Sequence, residues 1–99
     1  MSARISVPGD VIAGFCRRHH VRRLALFGSV LRDDFRPDSD VDVLVELEPE
    51  HVPGLAFFSM QDELSEIIRR RVDLNTPGFL SPLFRDTVIA AADVLYDAA

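Results

Sequence analysis

Phe27-Gly28-Ser29-Val30-Leu31-Arg32, and then Asp38-Ser39-Asp40-Val41-Asp42-Val43-Leu44-Val45, are the stretches on which the reading of this chain turns. In the second, Val41, Val43, Val45 and Leu47 alternate with Asp42, Leu44 and Glu46, the two-residue period of a strand with one apolar face. The first closes a short apolar run, Arg22 to Phe27, with a Gly-Ser pair, so it reads as a strand entering a tight turn. Val30 to Asp34 then has room for one or two helical turns, and Phe35 to Ser39, with Pro37, reads as a loop.

Asp40 and Asp42 stand two residues apart at the mouth of the strand, so their side chains leave the same face. Two carboxylates held that close repel each other unless a cation lies between them. Hard oxygen ligands of this kind suit magnesium, which keeps some of its waters and shares substrate phosphates. A third acid, Asp73, lies in Val72-Asp73-Leu74, a short apolar segment able to pair beside the first strand. Three acids on neighbouring strands can hold two metal ions about 4 Å apart, the arrangement used for in-line phosphoryl displacement. Gly28 and Ser29 supply the complementary half. A glycine at a strand end lets the backbone approach phosphate oxygens, and the Ser29 hydroxyl, neighbouring amides and the start of the following helix can receive a triphosphate. Arg32 adds a cation within reach of phosphate.

Outward from these segments, Ser6-Val7-Pro8-Gly9-Asp10 carries helix-start signals, and Val11, Ile12, Phe15 and His19 recur at helical spacing, which predicts a helix over 7–19. Phe57, Met60, Leu64, Ile67 and Ile68 mark a second amphipathic helix ending near Arg70. Phe84, Val88, Ala91, Ala92 and Leu95 trace a last helix from about Ser81, leading into a short strand at Val94 to Tyr96. The predicted fold class is α/β (α+β), a small mixed sheet flanked by helices.

The totals bound the function. With 99 residues, 47% hydrophobic and 27% charged, the chain is expected to form a single globular domain over 1–99. A net charge of −5 argues against direct nucleic-acid binding, which favours basic domains, but not against a nucleotide held with metal ions. No apolar run approaches a membrane span, no secretory core opens the chain, and the one cysteine, Cys16, cannot form an internal disulfide. A soluble cytoplasmic protein is the expectation. Asp38, Asp40 and Asp42 also resemble the opening of a calcium loop, but its glycine would fall at Val43 and its closing glutamate at Pro49. His19, His20 and His51 form no zinc pattern, and neither a Walker A lysine motif nor Gly-x-Gly-x-x-Gly is present. Cys16 and the Phe57-Met60-Leu64 stripe read as core. Arg17, Arg18, Arg22, Arg23 and Arg69 to Arg71 read as solvated helix ends, and Phe79, Leu80 and the last helix are the place for a partner patch.

Gly28-Ser29, ten intervening residues, Asp40-x-Asp42 in a strand and Asp73 in a later strand resemble the signature of the DNA polymerase beta-like nucleotidyltransferase superfamily. With Gly-Ser-x-x-Arg, Ser-Asp-x-Asp-x-Leu-Val and a terminal helix, the chain looks like the smallest branch, the minimal nucleotidyltransferases, from about Val11 to Tyr96. The resemblance implies metal binding by Asp40, Asp42 and Asp73, ATP phosphates at Gly28 and Ser29, two Mg2+ ions, and Asp73 as the base for an acceptor hydroxyl. It further implies an antitoxin paired with a HEPN-domain ribonuclease toxin, silencing it by adding AMP to a tyrosine. One position departs from the pattern: Asp33 stands where relatives carry glycine, which either weakens phosphate binding beside Arg32 or merely ends the short helix. Two rivals remain, an interaction module that neutralises its partner by binding alone, and a small-molecule transferase, which usually needs a further domain.

Overall fold

In the computed structural model, which describes residues 7–31, 36, 39–50 and 54–98, the alternating segment forms strand β2, Val41–Leu47. Strands β1, Val21–Phe27, β3, Val72–Asn75, and β4, Asp93–Asp97, complete a sheet of order β3-β2-β1-β4. β1 runs antiparallel to both β2 and β4, whereas β3 is parallel to β2. A parallel pair requires a crossover, and helix α2, Ala56–Ile68, provides it.

Helix α1, Gly9–Arg18, starts where Pro8 fixes an extended backbone and its carbonyl accepts the Ile12 N–H at 3.0 Å. Asp10 in the first turn and Arg17 and Arg18 in the last complement the helix dipole. From α1, Ile12, Phe15 and Cys16 meet Met60, Leu64 and Ile68 of α2 in one buried cluster. Leu24 and Leu26 of β1, Val41, Val43 and Val45 of β2, and Val72 and Leu74 of β3 complete that cluster, so both helices cover the same face of the sheet. Burial pushes the Cys16 thiol up to about 12, against the opposing charge of Arg17, so it is an inert part of the core.

α1 is shorter than the predicted 7–19 and α2 ends at Ile68 rather than near Arg70, and three further boundaries differ from the sequence reading, each for a local reason. The residues after β1 form a 3-10 turn, Gly28–Leu31, beginning two residues earlier than the predicted helical segment, because Gly28 adopts the left-handed backbone (φ 76°) directly at the strand end. The last helix, α3, is Arg85–Ala91 with no fully buried residue. Residues before it make a turn in which the Ser81 carbonyl accepts both the Phe84 and Arg85 N–H groups at 2.9 Å. Ala92, read at helical spacing, is the residue after α3, and the strand read at Val94 to Tyr96, which includes Leu95, is present as the edge ladder beside β1 from Asp93, opposite Leu26, to Asp97, opposite Arg23. Arg22 and Arg23, read also as a solvated helix end, both lie in β1, as the strand reading of Arg22 to Phe27 had them, with Arg22 exposed and Arg23 half-buried, 3.8 Å from Glu46.

Helices α1 and α2 are also tied at the surface. Arg18 Nη2 donates to Glu63 Oε2 at 2.6 Å, and His19 Nε2 lies 3.0 Å from Glu63 Oε1. Partial burial pushes the Glu63 carboxyl up, but the Arg18 and His19 contacts outweigh it and hold the carboxyl below its ordinary value of 4.5. A depressed carboxylate pKa adds stability that is present above the ordinary value and lost as pH falls through the folded one. Because these side chains are partly exposed, Glu63→Gln should lower stability at neutral pH by only about 0.5–1 kcal/mol. Thermal unfolding should show that gap closing in acid. An equal gap at neutral and acid pH would assign the loss to packing instead.

Candidate functional site

The face of the sheet opposite the two-helix core carries the acids. In the parallel ladder, Val41 pairs with Val72 and Asp42 with Asp73, so the two carboxylates leave adjacent strands side by side. Asp40, immediately before β2, follows the same two-residue alternation, and Arg71 stands two residues before Asp73. The result is a two-by-two array, Asp40 beside Arg71 and Asp42 beside Asp73. The Val41 N–H donates to the Arg71 carbonyl at 2.8 Å, and Arg71 Nη1 lies 3.7 Å from Asp40 Oδ1. Asp40 and Asp73 are exposed, and Asp42 is half-buried.

Strand β3 is an edge, and α2 fixes it there. The Ser65 hydroxyl accepts the Val72 N–H at 3.0 Å and donates to the Gln61 carbonyl at 2.9 Å. Gln61 Oε1 accepts the Leu74 N–H at 2.9 Å. These are the N–H groups on either side of Asp73, so two α2 side chains satisfy the outer edge of β3 and set the position of its acid. Sequence reasoning missed Gln61 and Ser65. Their spacing places them one turn apart on a helix, but nothing in the sequence says that a strand edge lies against that turn.

Gly28 closes the array from the other side. Phe27, the last residue of β1, faces Asp42 across the antiparallel ladder, which brings Gly28 against the Asp42 side chain. A Cβ at Gly28 would collide with Asp42 Oδ2 and stand 3.3 Å from its Cγ. With the left-handed φ, this leaves glycine as the residue that fits. Ser29 is the second residue of the 3-10 turn that starts at Gly28, with Val30 and Leu31 anchoring that turn in the core. Arg32, Asp33 and Asp38 lie outside the described residues, as does His51.

Gly28, Asp40, Asp42 and Asp73 are thus gathered at one end of β1, β2 and β3. Among the described residues no three carboxylate, His or Cys side chains converge as a preformed metal cage. The donor set nonetheless suits a hard cation: every side-chain donor is an oxygen, Asp42 and Asp73 share a register, and the glycine next to Asp42 leaves that carboxylate its space. Such an array can gather divalent ions and the phosphates they bind beside a turn of backbone N–H groups.

Comparison with known proteins identifies the family. The nucleotidyltransferase domain family matches residues 10–93. A candidate protein adenylyltransferase of Methanocaldococcus jannaschii is 35% identical over 79 residues, 79% of this chain and 84% of that one. A solved structure assigned as a minimal nucleotidyltransferase shares 32% identity with a TM-score of 0.71, covering 85% of each chain. The fold also matches a chain in the complex of a tri-AMPylated Shewanella oneidensis HEPN toxin with its MNT antitoxin. That match has a TM-score of 0.62 at 20% identity and covers 91% of this chain and 70% of that one. With the acid array, the glycine turn and a family match over most of its length, the chain belongs to the nucleotidyltransferase domain family.

Proposed function

We propose that this chain is a protein adenylyltransferase that binds ATP with two Mg2+ ions and transfers AMP to a tyrosine hydroxyl of a HEPN-domain toxin, for which it is the antitoxin. The observation that carries the reading is the register of Asp42 with Asp73 beside a glycine turn that leaves the Asp42 carboxylate its space. The named relatives add the chemistry: one is a candidate protein adenylyltransferase, and one fold neighbour is an antitoxin in complex with an AMPylated HEPN toxin. No helix among the described residues is long and apolar enough to cross a membrane, and the buried Cys16 thiol suits a reducing cytoplasm.

Asp40, Asp42 and Asp73 are the residues that would hold the metal ions. Bound there, Mg2+ would supply electrostatic stabilisation of the charge that builds on the α-phosphate and on departing pyrophosphate. The remaining tasks fall to the chain itself. Backbone N–H groups of the Gly28–Leu31 turn and the Ser29 hydroxyl donate to phosphate oxygens, and Arg32 adds a cationic contact. The acceptor oxygen attacks the α-phosphorus as the bond to the bridging oxygen of pyrophosphate breaks, and an Asp73 carboxylate oxygen takes the acceptor proton. The acceptor comes from a separate protein, because the small sheet and three helices among the described residues leave little surface with which to enclose it.

Two experiments test this. Incubation with the toxin partner, ATP and Mg2+ should raise the partner's mass in steps of one AMP, and the modified toxin should stay inactive after this protein is removed. Asp40→Asn with Asp42→Asn should abolish both effects. If that variant silences the toxin as well as the parent does, with no added mass, the protein neutralises by binding alone. The second experiment exploits two left-handed glycines, Gly28 at φ 76° and Gly54 at φ 57°. Gly54→Ala meets no atom within 4 Å, so it should cost only the backbone strain, about 1–2 kcal/mol, and leave ATP binding intact. Gly28→Ala adds the collision with Asp42 and should lose ATP affinity by more than tenfold, roughly, in calorimetry on the folded protein. Normal ATP affinity in folded Gly28→Ala would place the phosphates elsewhere.

A further inference from the structure

Arg71 takes part in none of the steps above, yet its backbone and side chain both meet the acid array. Its carbonyl is fixed by the Val41 N–H at 2.8 Å, and its guanidinium reaches Asp40 at 3.7 Å while remaining 83% exposed. The parallel register places it next to Asp40 as Asp73 is placed next to Asp42. The array therefore contains three acids and a cation whose backbone is anchored and whose head is exposed. An exposed ion pair of this kind is weak, on the order of 0.2–1 kcal/mol, and readily exchanged for a stronger partner. A triphosphate is such a partner, since a guanidinium forms paired, charge-assisted hydrogen bonds with phosphate oxygens.

We propose that Arg71 is a positioning residue that changes partners: it neutralises Asp40 while the site is empty and passes to the triphosphate when nucleotide and metal arrive together. This rests on the nucleotidyltransferase reading of the same site and adds a role for a side chain outside the acids and the glycine turn. Two opposite effects follow from one substitution. Without nucleotide, Arg71 competes with a metal ion for Asp40, so removing it should strengthen metal binding. With nucleotide, Arg71 holds phosphate, so removing it should weaken nucleotide binding.

The test compares parent, Arg71→Gln and Arg71→Lys, with calorimetric titration of Mn2+ alone and of a non-hydrolysable ATP analogue in saturating Mn2+. Circular dichroism confirms that each variant is folded, as expected for so exposed a side chain. Arg71→Gln should bind Mn2+ alone roughly two- to fivefold more tightly and the analogue roughly three- to tenfold more weakly. Arg71→Lys, which keeps the charge but not the paired geometry, should fall between. A purely structural residue would not move the two affinities in opposite directions. If Arg71→Gln binds Mn2+ no more tightly than the parent, or loses no affinity for the analogue, the partner exchange is overturned. If the parent itself binds neither Mn2+ nor the analogue, the reading of the site falls, and this inference with it.

Discussion

Asp42 and Asp73 are held side by side by a register they do not themselves favour, and the arrangement of the site follows from that. Like charges at paired positions on neighbouring strands disfavour the pairing by roughly 0.2–1 kcal/mol. The register that imposes this also puts Val41 against Val72 and Val43 against Leu74, all four within the core. A slip of one residue would turn those side chains out and the acids in. Each buried aliphatic contributes about 1.5–3 kcal/mol, so the core outweighs the repulsion several times over. The hydrophobic face thus fixes the two acids beside each other, in a register that suits a shared divalent cation.

The surrounding elements serve this pair from three directions. Helix α2 makes the parallel crossover possible and then satisfies the outer N–H groups of β3 through Gln61 and Ser65, one on each side of Asp73. β1 pairs antiparallel with β2 and ends opposite Asp42, so its turn residue, Gly28, lies directly against the carboxylate. Arg71, carried by the loop between α2 and β3, partly offsets the charge of Asp40. Each of these contacts joins residues far apart in the chain, which makes the site a product of the fold rather than of any one segment.

That distinction explains what the sequence disclosed. The alternation of residues 41–47 is a local signal, and β2 spans those residues in the structure. The apolar stripe Phe57-Met60-Leu64 is likewise local: Met60 and Leu64 are buried, and Phe57 packs half-buried against the core. The acids and Gly28 could be singled out because their types and spacing carry chemistry without reference to register, and the structure brings them to one end of the sheet. The roles of Gln61, Ser65 and Arg71 were not legible, because a helix-to-strand hydrogen bond and an ion pair between the residues entering two strands depend on which strands meet. Nor did the spacing show that Gly28 is required by the Asp42 side chain itself, in addition to any phosphate it approaches. At the chain's end the strand read at Val94 to Tyr96 is present as β4, whereas the helical spacing carried the last helix too far, since α3 stops at Ala91.

The central claim is that the carboxylates of β2 and β3 and the turn after β1 form one site for metal ions and a triphosphate. Anomalous diffraction from crystals grown with Mn2+ and a non-hydrolysable ATP analogue tests it most directly. The account predicts anomalous peaks at the Asp40, Asp42 and Asp73 carboxylates, with the triphosphate against the backbone N–H groups of the Gly28–Leu31 turn. Manganese bound away from these acids, or a triphosphate bound away from Gly28, would contradict it.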